Sequence, residues 1–351
     1  MLAIRDGIKL NLIARKHRVE IERLDFELTA VRRKGFYEPE NLVRTCEHSM
    51  KFGVCIPNYG ETSTVEGLRT VALEAEKTGY SSVWCTDHVL MPTHSGTPYE
   101  RILDSLTSLA YLAPLTSTVK LGISSLITAM RNPVIVAKQL ATIDQLSGGR
   151  VMLATSAGWN EREFTHVGVN FHDRGKRLDD SIRLIRTLWN DEKPSFEGKR
   201  IPHKFSDVVF EPRPVQKRLT IWIGGYSKAA MNRAARLGDA WHPNALPFEV
   251  FRRMVAEFRR LEGAGDKEVC VRIGLNMKAA QSVYTGPQGE LRLLLTGDME
   301  ENQRTISELE KLGVTQMIVA PSPDGKVPIS NQVESLRLLA EGAIRKAGYI
   351  A

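Results

Sequence analysis

Cysteine is scarce in this chain: Cys46, Cys55, Cys85 and Cys270 are the only four in 351 residues. No two of them stand at metal-ligand spacing, and Cys55 and Cys85 lie inside apolar, strand-like runs. Buried, reduced thiols in a cytoplasmic protein are therefore expected, rather than a disulfide framework or a zinc site. No apolar run is long enough to cross a bilayer, so no membrane partner is expected. Blocks of like charge are also missing. The net charge is +7 with a pI of about 9.2, but the lysines and arginines are scattered. That pattern gives no nucleic-acid-binding arm, although a basic surface favours small anions by steering. No internal repeat or low-complexity tract is evident. What is present, 42% hydrophobic and 25% charged residues, is the balance of a soluble globular protein.

The first 49 residues are charge-rich in both signs and lack the apolar core of a secretory signal and the acid-poor character of a transit peptide. Met50 then opens a strand-like run without preamble. Residues 1–49 are thus expected to form an extension outside the core, with the core fold occupying 50–351. From residue 50 onward, short β-prone runs alternate with longer stretches of helical periodicity. "KFGVCIP" precedes "TVEGLRTVALEAEKTG", "SSVWCTDH" precedes "DSLTSLAYLAPLTS", and the alternation continues to "VTQMIVAPS" and a last helix, eight units in all. Eight units in this length fit a closed (β/α)₈ TIM barrel, although a doubly wound open sheet has the same periodicity. One segment, 195–216, breaks the rhythm before the fifth strand. Such an insertion is expected to lie over the active face and, with the 91–99 loop, to shape substrate choice.

In a barrel, active groups come from the carboxyl ends of the strands. "SVWCTDH" closes the second strand on Asp87 and His88, so both belong at that face. The third strand carries a hydroxyl pair, Ser124 and Ser125, in an apolar stretch, which suggests irregular backbone beside a ligand. The fourth ends in "ATSAGWNEREF", where Trp159 and Asn160 open a helical turn. The fifth ends in "IWIGGYSKAA", where Gly224, Gly225 and Ser227 do the same. Two strand–glycine–helix junctions side by side would offer free N–H groups to a phosphate. Arg131, Arg162 and Lys228 could add positive charge at the mouth. Asp144 and Arg150 are expected to pair across a helix–strand turn. Arg174, Arg177 and Asp179 in "DRGKRLDD" read as a solvated helix start. Among the remaining histidines only His242, at the end of the sixth strand, points to the site.

The segments "SVWCTDH", "RNPVIVAKQLATIDQLSGGRVMLATSAGWNEREFTHVGVNFHDRG" and "PVQKRLTIWIGGYSKAAMNRAARLGDAWHP" resemble the luciferase-like monooxygenase superfamily. Within it they look most like the branch that uses the deazaflavin coenzyme F420. The resemblance runs from about Met50 to the C-terminus and implies a bacterial-luciferase-like barrel with the coenzyme at the strand ends. It also implies a non-prolyl cis peptide at Ser124–Ser125 buttressing the deazaflavin ring. Phosphate contacts would fall at Trp159, Asn160, Gly224, Gly225 and Ser227, and Asp87 with His88 would contact coenzyme and handle the substrate proton. Members often form homodimers. The sugar-phosphate dehydrogenases of the branch carry a tryptophan where this chain has Pro92 and a glutamate where it has Trp159, a departure that argues against a sugar-phosphate substrate.

The expected activity is hydride transfer between an organic substrate and C5 of the deazaflavin. His88 would be the general acid/base, and Asp87 would orient it or bond the coenzyme. Two alternatives remain: an FMN-dependent monooxygenase using reduced FMN and O₂, and a non-catalytic flavin- or deazaflavin-binding protein.

Overall fold

The computed structural model describes residues 50–350. The expected extension at 1–49, with Cys46, lies outside the described residues. Eight parallel strands close on themselves: β1 (Lys51–Cys55), β2 (Ser82–Cys85), β3 (Lys120–Leu126), β4 (Val151–Thr155), β5 (Ile221–Gly224), β6 (Ala240–His242), β7 (Glu268–Leu275) and β8 (Val314–Ala320). Each pairs with the next, and β8 returns to β1 through Phe52 opposite Met317. This is the closed (β/α)₈ barrel, not the open sheet.

The helices between strands are α1 (Val65–Lys77), α2 (Ser105–Leu112), α3 (Pro133–Ser147), α4 (Glu161–His166), α5 (Arg174–Asn190), α6 (Lys228–Leu237), α7 (Phe248–Arg259), α8 (Met299–Lys311) and α9 (Ile329–Leu339). Their ends follow the local sequence. Asn132 caps α3 by accepting from the amides of Val134 and Ile135, Pro133 takes the first helical position, and Gly148 ends the helix in the left-handed region.

Strand alternation divides the apolar residues into two sets. Outward side chains meet the helices in the main core. Inward ones form a separate plug of Cys55, Trp84, Ala154, Trp222, Ala240, Cys270, Ile318 and Ala320. Trp84 stacks on Trp222 with ring centroids 4.9 Å apart, and two indoles of this size dominate the plug's burial energy. They need small neighbours. A Cβ at Gly122 would lie 2.2 Å from the Trp84 ring, so only glycine fits there. Cys55, Cys85 and Cys270 are free and buried, as expected.

Two expectations fail here. Asp144 and Arg150 do not pair. Asp144 accepts from the amides of Val151 and Gln216, while Arg150 donates to the carbonyls of Ala113, Thr116, Val119 and Ser147. Each satisfies buried backbone at the turn rather than the other's charge. The 195–216 insertion does not cover the mouth. It forms a small hairpin (Phe196–Glu197 with Lys204–Phe205) and runs outside α3 and α5. Lys138 and Gln145 of α3 donate to the Glu211 and Arg213 carbonyls, and Asp180 of α5 accepts from the amides of Lys199 and Arg200. Its apolar residues decide the placement, because Ile201 and Phe210 join the main core. A segment not anticipated, Val283–Thr285 antiparallel to Leu291–Leu295, extends the sheet beside β7.

Candidate active site

A cavity of about 580 Å³ opens at the carboxyl ends of the strands, within the size range of cofactor sites. Asp87, His88, Ser124, Ser125, Trp159, Gly224, Gly225, Ser227 and His242 all line it. The sequence positions therefore converge, with the exception of Asn160.

His88 is fixed from behind. Its Nδ1 lies 2.8 Å from Glu163 Oε2, and Glu163 Oε1 accepts from the amides of Val89 (2.6 Å) and Leu90 (3.4 Å). Burial pushes the Glu163 carboxyl up, but its bonds from His88 and from the two amides outweigh this and hold it below the usual range. The carboxylate is thus ionised and can only accept, so His88 Nδ1 carries the proton of the pair. The ring also stacks on Tyr99 with centroids 4.6 Å apart and meets Trp159 edge-on at 5.8 Å.

Asp87 does not orient His88. Its carboxylate accepts from Ser105 Oγ, the Ile127 amide and Arg131 Nη2, at 2.9, 2.9 and 2.7 Å. It ties the end of β2 to the end of β3 and to α2. Arg131 thereby has its charge matched, since its Nη2 also bonds Asp104, while its buried Nε has no partner. Lys228 is exposed and faces Glu257, and Arg162 is exposed. None of these three cations lines the cavity.

The Ser124–Ser125 peptide is cis, as the resemblance implies. Ser124 Oγ lies 2.8 Å from His242 Nε2, and His242 Nδ1 lies 2.9 Å from the Cys270 carbonyl oxygen. A carbonyl only accepts, so Nδ1 donates and Nε2 accepts from the serine. Burial pushes the His242 pKa down to about 4, which keeps the ring neutral. Two strands on, a Cβ at Gly224 would lie 2.4 Å from Ser125 Oγ, so glycine lets the serine pack against the backbone of β5. The Thr86 hydroxyl is buried on the cavity wall without a partner.

The two helix junctions are not equivalent. Ser227 caps α6, its Oγ accepting from the Ala230 amide, and it borders the cavity. Asn160 caps α4 through the amides of Arg162 and Glu163 and does not line the cavity. Its contribution is to start the helix that presents Glu163 to His88. Both junctions reach the cavity, the first through Gly158 and Trp159 and the second through Gly224, Gly225 and Ser227.

Several wall residues escaped the sequence reading. "DRGKRLDD" is not a solvated start: Asp179 pairs with Arg233 and Arg236 of α6, and Arg177 donates to the Ala129 carbonyl. Arg174 lies over the Phe171 ring at 3.7 Å and, with Lys176, faces the cavity. Arg272, inward-facing on β7, and Arg292, on the added strand, complete the wall. A lone arginine in the apolar run "VCVRIGL" was the signal for Arg272. Among the described residues no group of His, Cys, Asp and Glu is placed to hold a metal ion, and no helix is long and apolar enough to cross a membrane.

The eight strands thus define a (β/α)₈ TIM barrel whose cavity lies at the strand ends, beside the buttressed histidine and the glycine–serine helix junction. The chain belongs to the luciferase-like monooxygenase family, whose sequence profile matches residues 50–283. It is 32% identical over 169 residues to an FMNH(2)-dependent dimethylsulfone monooxygenase of Pseudomonas putida, covering 47% of this chain and 46% of that one. It is 33% identical over 178 residues to an F420-dependent glucose-6-phosphate dehydrogenase of Kineococcus radiotolerans, covering 50% of this chain and 51% of that one. This chain thus spans about half the length of these two relatives. Its fold matches the coenzyme F420 dependent tetrahydromethanopterin reductase from Methanopyrus kandleri with a TM-score of 0.65, at 17% identity, over 85% of this chain and 99% of that one.

Proposed function

We propose that the chain is an oxidoreductase that passes hydride between an organic substrate and C5 of the deazaflavin coenzyme F420, with His88 as the proton carrier. The observation that carries this reading is the His88–Glu163 pair, an imidazole with one nitrogen fixed by a buried carboxylate at the wall of the cavity. The wall residues fit such a coenzyme. Thr86 has an unused hydroxyl, and Ser124, Ser125, Trp159, Gly224 and Gly225 would line the ring. Ser227 and the first amides of α6 would take the phosphate, with Arg174 and Lys176 near the acidic tail. Asp87 and Asn160 would act at one remove, by holding β2, β3 and α4 in place.

The bound coenzyme supplies the hydride acceptor or donor. His88 Nε2 takes the proton that the substrate loses as its hydride leaves, and Glu163 stabilises the imidazolium that forms. In the reverse direction the same nitrogen returns the proton.

A second reading, an FMN-dependent monooxygenase using reduced FMN and O₂, is favoured by the similarity to the dimethylsulfone enzyme. Absorbance titrations of the purified protein with coenzyme F420 and with FMN separate the two. Tighter binding of the deazaflavin, with hydride exchange that His88→Ala abolishes while keeping the coenzyme, supports the first. Binding of FMN alone supports the second. Binding without turnover would make the chain a carrier, and binding of neither would refute all three.

A further inference from the structure

Most charges on the cavity wall are matched. Asp87 faces Arg131, Glu163 faces His88, Asp179 faces Arg233 and Arg236, and Arg292 faces Glu290. Arg272 differs. Its hydrogen bonds go to the Ser124 carbonyl oxygen and the Tyr59 hydroxyl, both at 3.1 Å, and its guanidinium carbon lies 5.8 Å from the Tyr59 ring centre. No carboxylate of the described residues forms an ion pair with it. A guanidinium has five N–H donors, and two are in use here.

The surroundings add no negative charge. Burial pushes the Cys55 thiol and the Tyr59 phenol up, so both stay neutral, and His242 is neutral as argued above. The cavity floor therefore carries a half-buried cation with no carboxylate partner, whose charge an anion joining it there would compensate. The other wall cations without a carboxylate bond differ in placement. Lys176 is exposed, and Arg174 lies 3.7 Å over the Phe171 ring while bonding the carbonyls of Gly158 and Phe171.

From these observations we infer that Arg272 anchors the anionic head of the substrate, a carboxylate or a planar oxyanion of similar size, through its free donors. The inference rests on the proposed use of this cavity for substrate and coenzyme together. Arg272 and His88 both line this cavity, with Tyr99 between them in the contact chain. Tyr59, buried behind the wall, bonds Arg272 and meets Tyr99 edge-on at 5.3 Å, and Tyr99 stacks on His88. An anion seated on Arg272 thus shares one cavity with the proton carrier.

Calorimetric titration of the purified full chain with benzoate and with benzamide, its neutral counterpart of the same shape, tests this. Both are added with and without saturating FMN or coenzyme F420. The expected result is benzoate binding at least about tenfold tighter than benzamide, a difference of about 1.4 kcal/mol. Arg272→Gln should abolish that preference while leaving coenzyme affinity within about threefold, and Arg272→Lys should restore part of it. Equal binding of the two probes by the wild type overturns the proposal, as does undiminished benzoate binding by a folded Arg272→Gln protein. Displacement of benzoate by the coenzyme, together with loss of coenzyme binding in Arg272→Gln, also overturns it and gives Arg272 to the coenzyme. If Arg272→Gln does not fold, the wild-type preference and its retention in Arg272→Lys decide. Failure to bind either coenzyme counts against the proposed function alone, because the benzoate titration without coenzyme remains readable.

Discussion

Replacing Glu163 with Gln should disable His88 while hardly changing the shape of the site. Glu163 Oε1 is held by two backbone donors, the amides of Val89 and Leu90, so the glutamine must place its own oxygen there. Its NH₂ group is then forced against His88 Nδ1, where the carboxylate now accepts at 2.8 Å. A donor facing Nδ1 moves the ring proton to Nε2, which leaves the cavity-facing nitrogen unable to take a proton. The side chains of His88 and Glu163 are 5% and 0% exposed, so water cannot relieve the mismatch. The loss should approach the full worth of a positioned general base, a fall of about 10²–10⁴ in hydride transfer per bound coenzyme. Nitrogen-15 NMR of labelled protein reads the tautomer directly, with His88→Ala identifying the ring signals. The wild type should show a protonated Nδ1 and Glu163→Gln a protonated Nε2. An unchanged tautomer, or hydride transfer within about threefold of wild type, refutes the argument.

Acidification probes His242 in a second way. The unfolded chain takes up this proton near pH 6.5, whereas the folded ring does so only at about pH 4. Stability is therefore full above about pH 6.5 and falls as pH drops towards 4, by about 3 kcal/mol from this group. Urea melts of the wild type and His242→Gln should show the slope flattened in the variant. Ser227→Asp should weaken coenzyme binding more than about tenfold by placing a negative charge where α6 opens on the cavity; unchanged affinity removes the phosphate from that junction. A chain beginning at Met50 should fold and bind coenzyme like the full one, because β1 starts at Lys51; loss of soluble protein would show that residues 1–49 are needed.

The barrel was legible because its signal is periodic: apolar runs of strand length alternate with longer helical patterns, and eight repeats leave few architectures. The convergence of Asp87, His88, Gly224 and Ser227 followed from strand ends alone. The cis bond at Ser124–Ser125 did not. The residues gave only a buried hydroxyl pair, and family resemblance supplied the rest. Glu163 stayed hidden because Asn160-x-x-Glu163 has the spacing of an ordinary capping box, in which the glutamate serves its own helix. In the folded chain that carboxylate reaches His88, 75 residues away. The pairing of Asp179 with Arg233 spans 54 residues, so no local pattern could distinguish it from a solvated helix face. The insertion at 195–216 was misplaced for a different reason. Its charges and prolines break up any periodic pattern, but burial of Ile201 and Phe210 decides where it lies.

The plug of Trp84 and Trp222 closes the barrel below the cavity, which opens at the strand ends. Molecules that share such a room must queue. If substrate and coenzyme share the cavity as proposed, whatever rests on the floor beside Arg272 has to enter before the mouth is filled, and it leaves only after the outer occupant has gone. Turnover would then be a matter of order as well as affinity. An excess of whichever partner sits nearer the door should slow the reaction rather than drive it.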